Sequence, residues 1–185
     1  MSQRLYNVEL DGSGIVLSLP IVNVKGTDIA LFNPRGKTEL NRRCAQLLAA
    51  RFPKEATVIL MAAGKAEGLL QATSEVANIP AAVAVKEIKP YMTNLVSLDV
   101  GTVTSDPQQL HMDEESLAMM RGAFVIILDD VVSSGATESV LKRFIELAGG
   151  THIGTAAVFT EGTRRAEVIS LGHLPLPAVP NESAR

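Results

Sequence analysis

Short apolar runs alternate along this chain with segments whose apolar residues recur every three or four positions. The runs at 57–61 (TVILM), 81–85 (AAVAV), 124–129 (FVIILD) and 153–159 (IGTAAVF) have the length and Val/Ile content of buried strands. Between them, 38–52 carries a helical stripe of Leu40, Cys44, Leu47 and Leu48 behind Thr38 as N-cap. Residues 64–77 predict a second helix. A third spans 136–150, with Val140, Leu141, Phe144, Ile145 and Leu147 as its buried face and Gly149 and Gly150 at its end. Strands alternating with helices imply an α/β fold, a parallel sheet flanked by helices. The segment 86–112 breaks the rhythm. Its alternating stretches at 95–100 and 101–105 predict a flexible excursion that pairs into a hairpin. The Pro-rich tail, 175–185, is expected to fray.

Composition narrows the classes of function. At 185 residues, 46% of them hydrophobic, the chain suits a single domain spanning 1–185. A net charge of −3 offers no surplus to neutralise a nucleic-acid backbone, and Trp is absent, so no nucleic-acid partner is expected. The single cysteine, Cys44, excludes an internal disulfide and any multi-cysteine metal site, and its place on an apolar stripe predicts packing. His111, His152 and His173 lack metal-ligand spacing, so no protein-held metal is expected. No apolar run approaches ~18 residues and no leader pattern opens the chain, so the expectation is a cytoplasmic protein without a membrane partner.

The most informative stretch is 125–137, VIILDDVVSSGAT. An apolar run leads into Asp129 and Asp130, then two valines, then Ser133, Ser134, Gly135, Ala136 and Thr137. Ligands of open parallel sheets bind beyond the carboxyl ends of the strands. The small residues form a turn into a helix, where free N–H groups and the helix dipole attract anions. A ligand that satisfies both halves carries a phosphate for the turn and hydroxyls for the acids. A phosphorylated sugar does.

This stretch resembles the phosphoribosyl-pyrophosphate (PRPP) signature of type I phosphoribosyltransferases, and the likeness extends over about residues 20–175. TVILMAAGKAEGLLQAT is similar to the pyrophosphate loop of the adenine and xanthine enzymes, AVKEIKPYM to the strand end before their flexible loop, and LPIVNVKGTDIALF to their small hood. AAVFTEGTRRAEVISLGHLPL resembles their closing strand and tail. The adenine-enzyme branch is the nearest in pattern. The resemblance implies a fold with a hood formed by about 1–37 and the C-terminal segment. It implies that residues 133–137 hold the 5′-phosphate of PRPP, while Asp129 and Asp130 accept the ribose hydroxyls and stabilise positive charge on the ring. Ala63, Gly64, Lys65, Lys86 and Lys89 would hold the pyrophosphate, and Mg²⁺ would arrive bound to PRPP. Base-pocket candidates are Val24, Lys25, Asp28, Phe159 and Glu161; Phe159 either stacks on a base or packs in the core.

The chain departs from the family pattern at several places. Ala63 and Lys65 stand where an acid and an arginine are common, Val85 stands where an arginine often precedes Lys86, and Ser133 replaces the acid of hypoxanthine-guanine enzymes. The expected activity is transfer of ribose 5-phosphate from PRPP to a purine, adenine first, by a homodimer in nucleotide salvage. Two alternatives are a PRPP-binding sensor without catalysis and an enzyme for another base such as xanthine.

Overall fold

The structure, a computed structural model, describes residues 4–101 and 108–181. The expected alternating run 101–105 therefore falls mostly outside the described residues. Among the described residues, eleven strands and four helices follow in chain order: β1 (Leu5–Leu10), β2 (Ile15–Val24), β3 (Thr27–Ala30), α1 (Thr38–Ala49), β4 (Val58–Ala62), α2 (Glu67–Ala77), β5 (Ala81–Ala84), β6 (Val96–Val100), β7 (Gln108–Met112), α3 (Glu114–Met120), β8 (Phe124–Val132), α4 (Ala136–Ala148), β9 (Thr151–Glu161), β10 (Val168–Ser170) and β11 (His173–Leu174). The central sheet runs β10-β9-β8-β4-β5, with β11 also on β9, and all its pairings are parallel. This is the helix-flanked parallel sheet that the alternating pattern predicts.

β8 is buried on both faces because consecutive side chains point to opposite sides. Ile126 and Leu128 join the core made with α1, α2 and the β1-β2-β3 sheet. Val125 and Ile127 join the second core, made with α4 and with the β6/β7 hairpin. β8 also runs past its expected end at 129, because Val131 and Val132 still pair with Phe159 and Thr160 of β9. Asp129 and Asp130 thus lie within the strand, not after it.

Helix boundaries shift for local reasons. Gly36 (φ +72°) turns the chain so that Lys37 takes the cap position of α1, and Thr38 is the first helical residue instead of the N-cap. Helix α2 starts at Glu67, leaving 64–66 as an open turn. α4 ends on Gly149 in the left-handed conformation, as the sequence predicts. Leu147, expected on its buried face, is 61% exposed; Phe144 and Ile145 already fill the contact, and the helical period carries Leu147 outward. Cys44 is wholly buried and its thiol is pushed up to about 12 by desolvation, the signature of packing and not of reactivity. β6 and β7 pair antiparallel into the expected hairpin, bridged to the sheet edge where Val85 meets His111. The tail does not fray as far as it is described. Ala178 is buried and its N–H bonds to Asp28, and the Asn181 side chain bonds the backbone of Asn7 twice, so the β1-β2-β3 sheet holds the segment through 181.

Candidate active site

The turn after β8 is an amide-lined hollow. Gly135 (φ +80°) is the N-cap of α4 and has no capping side chain. The N–H groups of Ser133, Ser134 and Gly135 meet no acceptor among the described residues, and that of Ala136 reaches only Ser134 Oγ at 3.4 Å. Helical amides of the first turn have no intrahelical partner either. Residues 133–137 line a cavity of about 200 Å³ together with Asp129, Val131 and Glu138. The missing side chain of Gly135 is filled from behind: a Cβ there would lie 2.5 Å from Arg165 Nη1. The glycine makes room for an arginine as well as supplying its positive φ.

Asp129 and Asp130 are neighbours near the carboxyl end of β8, and both line one cavity there. Asp130 is 7% exposed and faces Lys65, whose Nζ lies 2.9 Å from Oδ2. The same ammonium also donates a hydrogen bond to Phe32 O at 2.9 Å, so Lys65 is shared between the carboxylate and the carbonyl. Asp129 lines the 200 Å³ cavity and a neighbouring one of about 370 Å³. Burial first, and the charge of Asp130 second, push its carboxyl up to about 7.

The larger cavity gathers positive charge. Arg35, Lys65 and Lys86 line it, with Ala62, Ala63, Gly64, Asp129, Asp130 and Thr137. Of the amides expected to face a pyrophosphate, that of Ala63 is already bonded to Ala84 O at 2.8 Å, which leaves those of Gly64 and Lys65. Lys89 lines neither cavity; it pairs with Glu87 at 2.7 Å, a hydrogen bond that raises its pKa.

The base-pocket candidates do not assemble. Val24, Lys25 and Asp28 surround the β2/β3 turn, where Lys25 has φ +49° and Asp28 is held below the usual carboxylate range by Asn23 and Arg4. Phe159 takes the core alternative. It is fully buried, edge-on to Phe32 with ring centroids 5.0 Å apart, and Gly172 lies against its ring. Glu161 is half-buried and raised by desolvation, with Lys65 opposing the rise. None of the five lines either cavity.

Arg35 is the cavity residue that sequence reasoning missed. It rides on the 33–37 turn, held by Arg35 N–H to Asn33 Oδ1 (3.2 Å), Lys37 N–H to Pro34 O (3.1 Å) and the buried Asn41 Nδ2 to Pro34 O (3.1 Å). The Asn-Pro-Arg-Gly run before a helix was the available signal. Among the described residues no cluster of three or more His, Cys, Asp or Glu is arranged to hold a metal, and no helix is long and apolar enough to cross a membrane.

A parallel sheet ending in paired acids and an amide turn, capped by a small hood and a hairpin, is the fold of the type I phosphoribosyltransferases. Solved structures with this fold include the adenine phosphoribosyltransferase of Thermoanaerobacter pseudethanolicus, at TM-score 0.62 and 14% identity over 92% of this chain and 95% of that one. The adenine phosphoribosyltransferase of Saccharomyces cerevisiae, solved with adenine and an imino-altritol bisphosphate, matches at TM-score 0.58 and 16% identity, covering 91% and 94%. A hypothetical protein of Neisseria gonorrhoeae with bound ppGpp matches at TM-score 0.52 and 12% identity, covering 77% and 83%. No protein-family model and no curated protein matches the chain by sequence.

Proposed function

We propose that this protein transfers ribose 5-phosphate from PRPP to a purine base, adenine first, and releases pyrophosphate. The observation that carries the reading is a pair of neighbouring cavities that share Asp129 and Thr137 and have three kinds of wall: amides of the 133–137 turn, carboxylates of Asp129 and Asp130, and the cations Arg35, Lys65 and Lys86. These suit, in order, the 5′-phosphate, the ribose and the pyrophosphate of one PRPP molecule. A ring nitrogen of the base attacks C1′, the bond from C1′ to pyrophosphate oxygen breaks, and the ring N–H proton leaves to solvent. The ribose gains positive charge on the way, beside Asp129 and Asp130, while negative charge grows on the pyrophosphate beside the cations. Charges fixed where charge develops commonly supply the largest catalytic contribution. Asp130, a buried carboxylate whose partner is the movable side chain of Lys65, suits a ribose hydroxyl once Lys65 turns to the pyrophosphate. Mg²⁺ bound to PRPP would neutralise the pyrophosphate, and it keeps most of its ligands as water and phosphate oxygen.

Lys65 enters this scheme by changing partners. Its ammonium neutralises Asp130 and donates to Phe32 O. With PRPP present it turns to the pyrophosphate and leaves Asp130 to the ribose. A second reading, a sensor of phosphorylated nucleotides, draws support from the ppGpp-bound neighbour. Calorimetric titration with Mg²⁺-PRPP, then with a panel of bases, and separately with ppGpp, tests both. PRPP binding followed by heat of turnover with one base supports the enzyme. Binding of PRPP or ppGpp with no turnover on any base supports the sensor, and no binding of either ligand removes both readings.

A further inference from the structure

Glu138 presents a contradiction in the candidate phosphate site. It is the third residue of α4, is 5% exposed, and lines the 200 Å³ cavity beside residues 133–137. A bare carboxylate there would repel the anion that the amides attract. Three groups engage it instead. Arg165 Nη1 donates to Oε2 at 2.6 Å, Lys142 Nζ lies 2.7 Å from Oε1, and Thr155 Oγ1 donates to Oε1 at 2.8 Å. Arg165 is itself held by Glu167, through Nε at 2.8 Å and Nη2 at 2.7 Å. The cluster therefore sets two acids against two cations. The guanidinium reaches Glu138 through the space that the absent Cβ of Gly135 leaves open.

We propose that Arg165 and Glu138 form a charge-balancing clamp behind the 133–137 turn, in which Arg165 is a positioning residue that cancels the Glu138 carboxylate and so sets the affinity of the turn for a phosphate monoester. This inference rests on the turn being a phosphate site, as the proposed function requires, but not on any transfer reaction. The clamp also explains why Gly135 stands between the two: any side chain there meets the guanidinium before it meets a ligand. An uncancelled charge a few ångströms from the bound anion weakens binding substantially at the effective dielectric of a protein site.

Calorimetric titration of the full chain with ribose 5-phosphate tests the clamp, using wild type, Arg165→Met, Glu138→Gln and the double variant. Arg165→Met is expected to bind about tenfold more weakly or worse, with a defect that shrinks at high salt. Glu138→Gln is expected to bind as well as wild type or a few-fold more tightly. The double variant is expected to return to within about threefold of wild type, because both charges are gone. The opposite signs separate charge from damage to the fold. A double variant as weak as Arg165→Met, or a Glu138→Gln as weak, would overturn the clamp. Wild-type binding of ribose 5-phosphate, together with no turnover of Mg²⁺-PRPP on any base, would overturn the transferase reading and leave the clamp standing. Absence of wild-type binding to ribose 5-phosphate and PRPP alike would remove both.

Discussion

At one end of the site, the amides of a single turn, residues 133–137, line the cavity; at the other, Arg35, Lys65 and Lys86 converge from the hood turn and from the segments that follow β4 and β5. The first end is held by secondary structure. Its amides are where they are because β8 stops and α4 begins, and Ser133 and Ser134 are both exposed. The second end depends on long flexible side chains brought together by tertiary packing. Backbone sites tolerate side-chain substitution, whereas each side-chain cation can be lost alone. The same ligand would therefore be held by one robust contact and one fragile one, with the acids between them.

The acids should give the largest response. Asp130→Asn is expected to lower kcat with Mg²⁺-PRPP and base by about 100-fold or more, the scale of losing one charge-stabilising group; near-normal kcat would show that neither end depends on the acid between them. Lys86→Ala should weaken PRPP about tenfold while leaving ribose 5-phosphate unchanged, since only PRPP carries the pyrophosphate. Equal weakening of both ligands in titration would erase the division into two ends. Asp129 gives a smaller effect that depends on pH. Its carboxyl sits at about 7 in the fold against 3.8 when free, so the fold retains a proton that the unfolded chain loses. That stabilising contribution is complete below the unfolded value and is lost as pH rises through about 7. Between pH 6 and 8 the wild type should thus lose about 1 kcal/mol relative to Asp129→Asn, read as a difference in thermal midpoints. The smallest effect belongs to Ser134→Ala, expected within about twofold of wild type in ribose 5-phosphate affinity, because the amides and not the hydroxyl carry the contact. A tenfold loss would make the turn a side-chain site like its counterpart.

The same division governs what could be read in the sequence. β8, the 133–137 turn and α4 form one uninterrupted stretch, and apolar runs, small residues and a terminal glycine are local signals that each residue carries by itself. Lys65 and Lys86 followed from resemblance to motifs that are also continuous. Arg35 was missed because the Asn-Pro-Arg-Gly run marks a turn before a helix but does not announce that this turn lines the same cavity as Lys65 and Lys86. Glu138 and Arg165 are 27 residues apart, and their pairing exists only once β9 returns beside β8. Phe159 and Leu147 show the limit in the other direction. An aromatic at a strand end and a leucine on a helix read alike whether buried or exposed, and only the finished packing placed the first in the core and the second in solvent. α3, capped by Asp113 accepting from Ser116 N–H, opens on a legible Asp-Glu-Glu run, but it follows directly on the 86–112 excursion and is too short to show a helical stripe of its own.

Phe32 does two jobs with two parts of one residue. Its ring is locked edge-on against Phe159 of the central sheet, and its carbonyl oxygen receives the ammonium of Lys65. The hood is consequently not an interchangeable module. A hood transplanted from another protein of this fold would have to deliver a backbone oxygen to the same spot, on a strand end fixed by the same aromatic pair, or Lys65 would settle elsewhere. Changes in the hood and changes around Lys65 are thus constrained to arise together, and substitutions that look peripheral on the β2/β3 side can reset the charge at the centre.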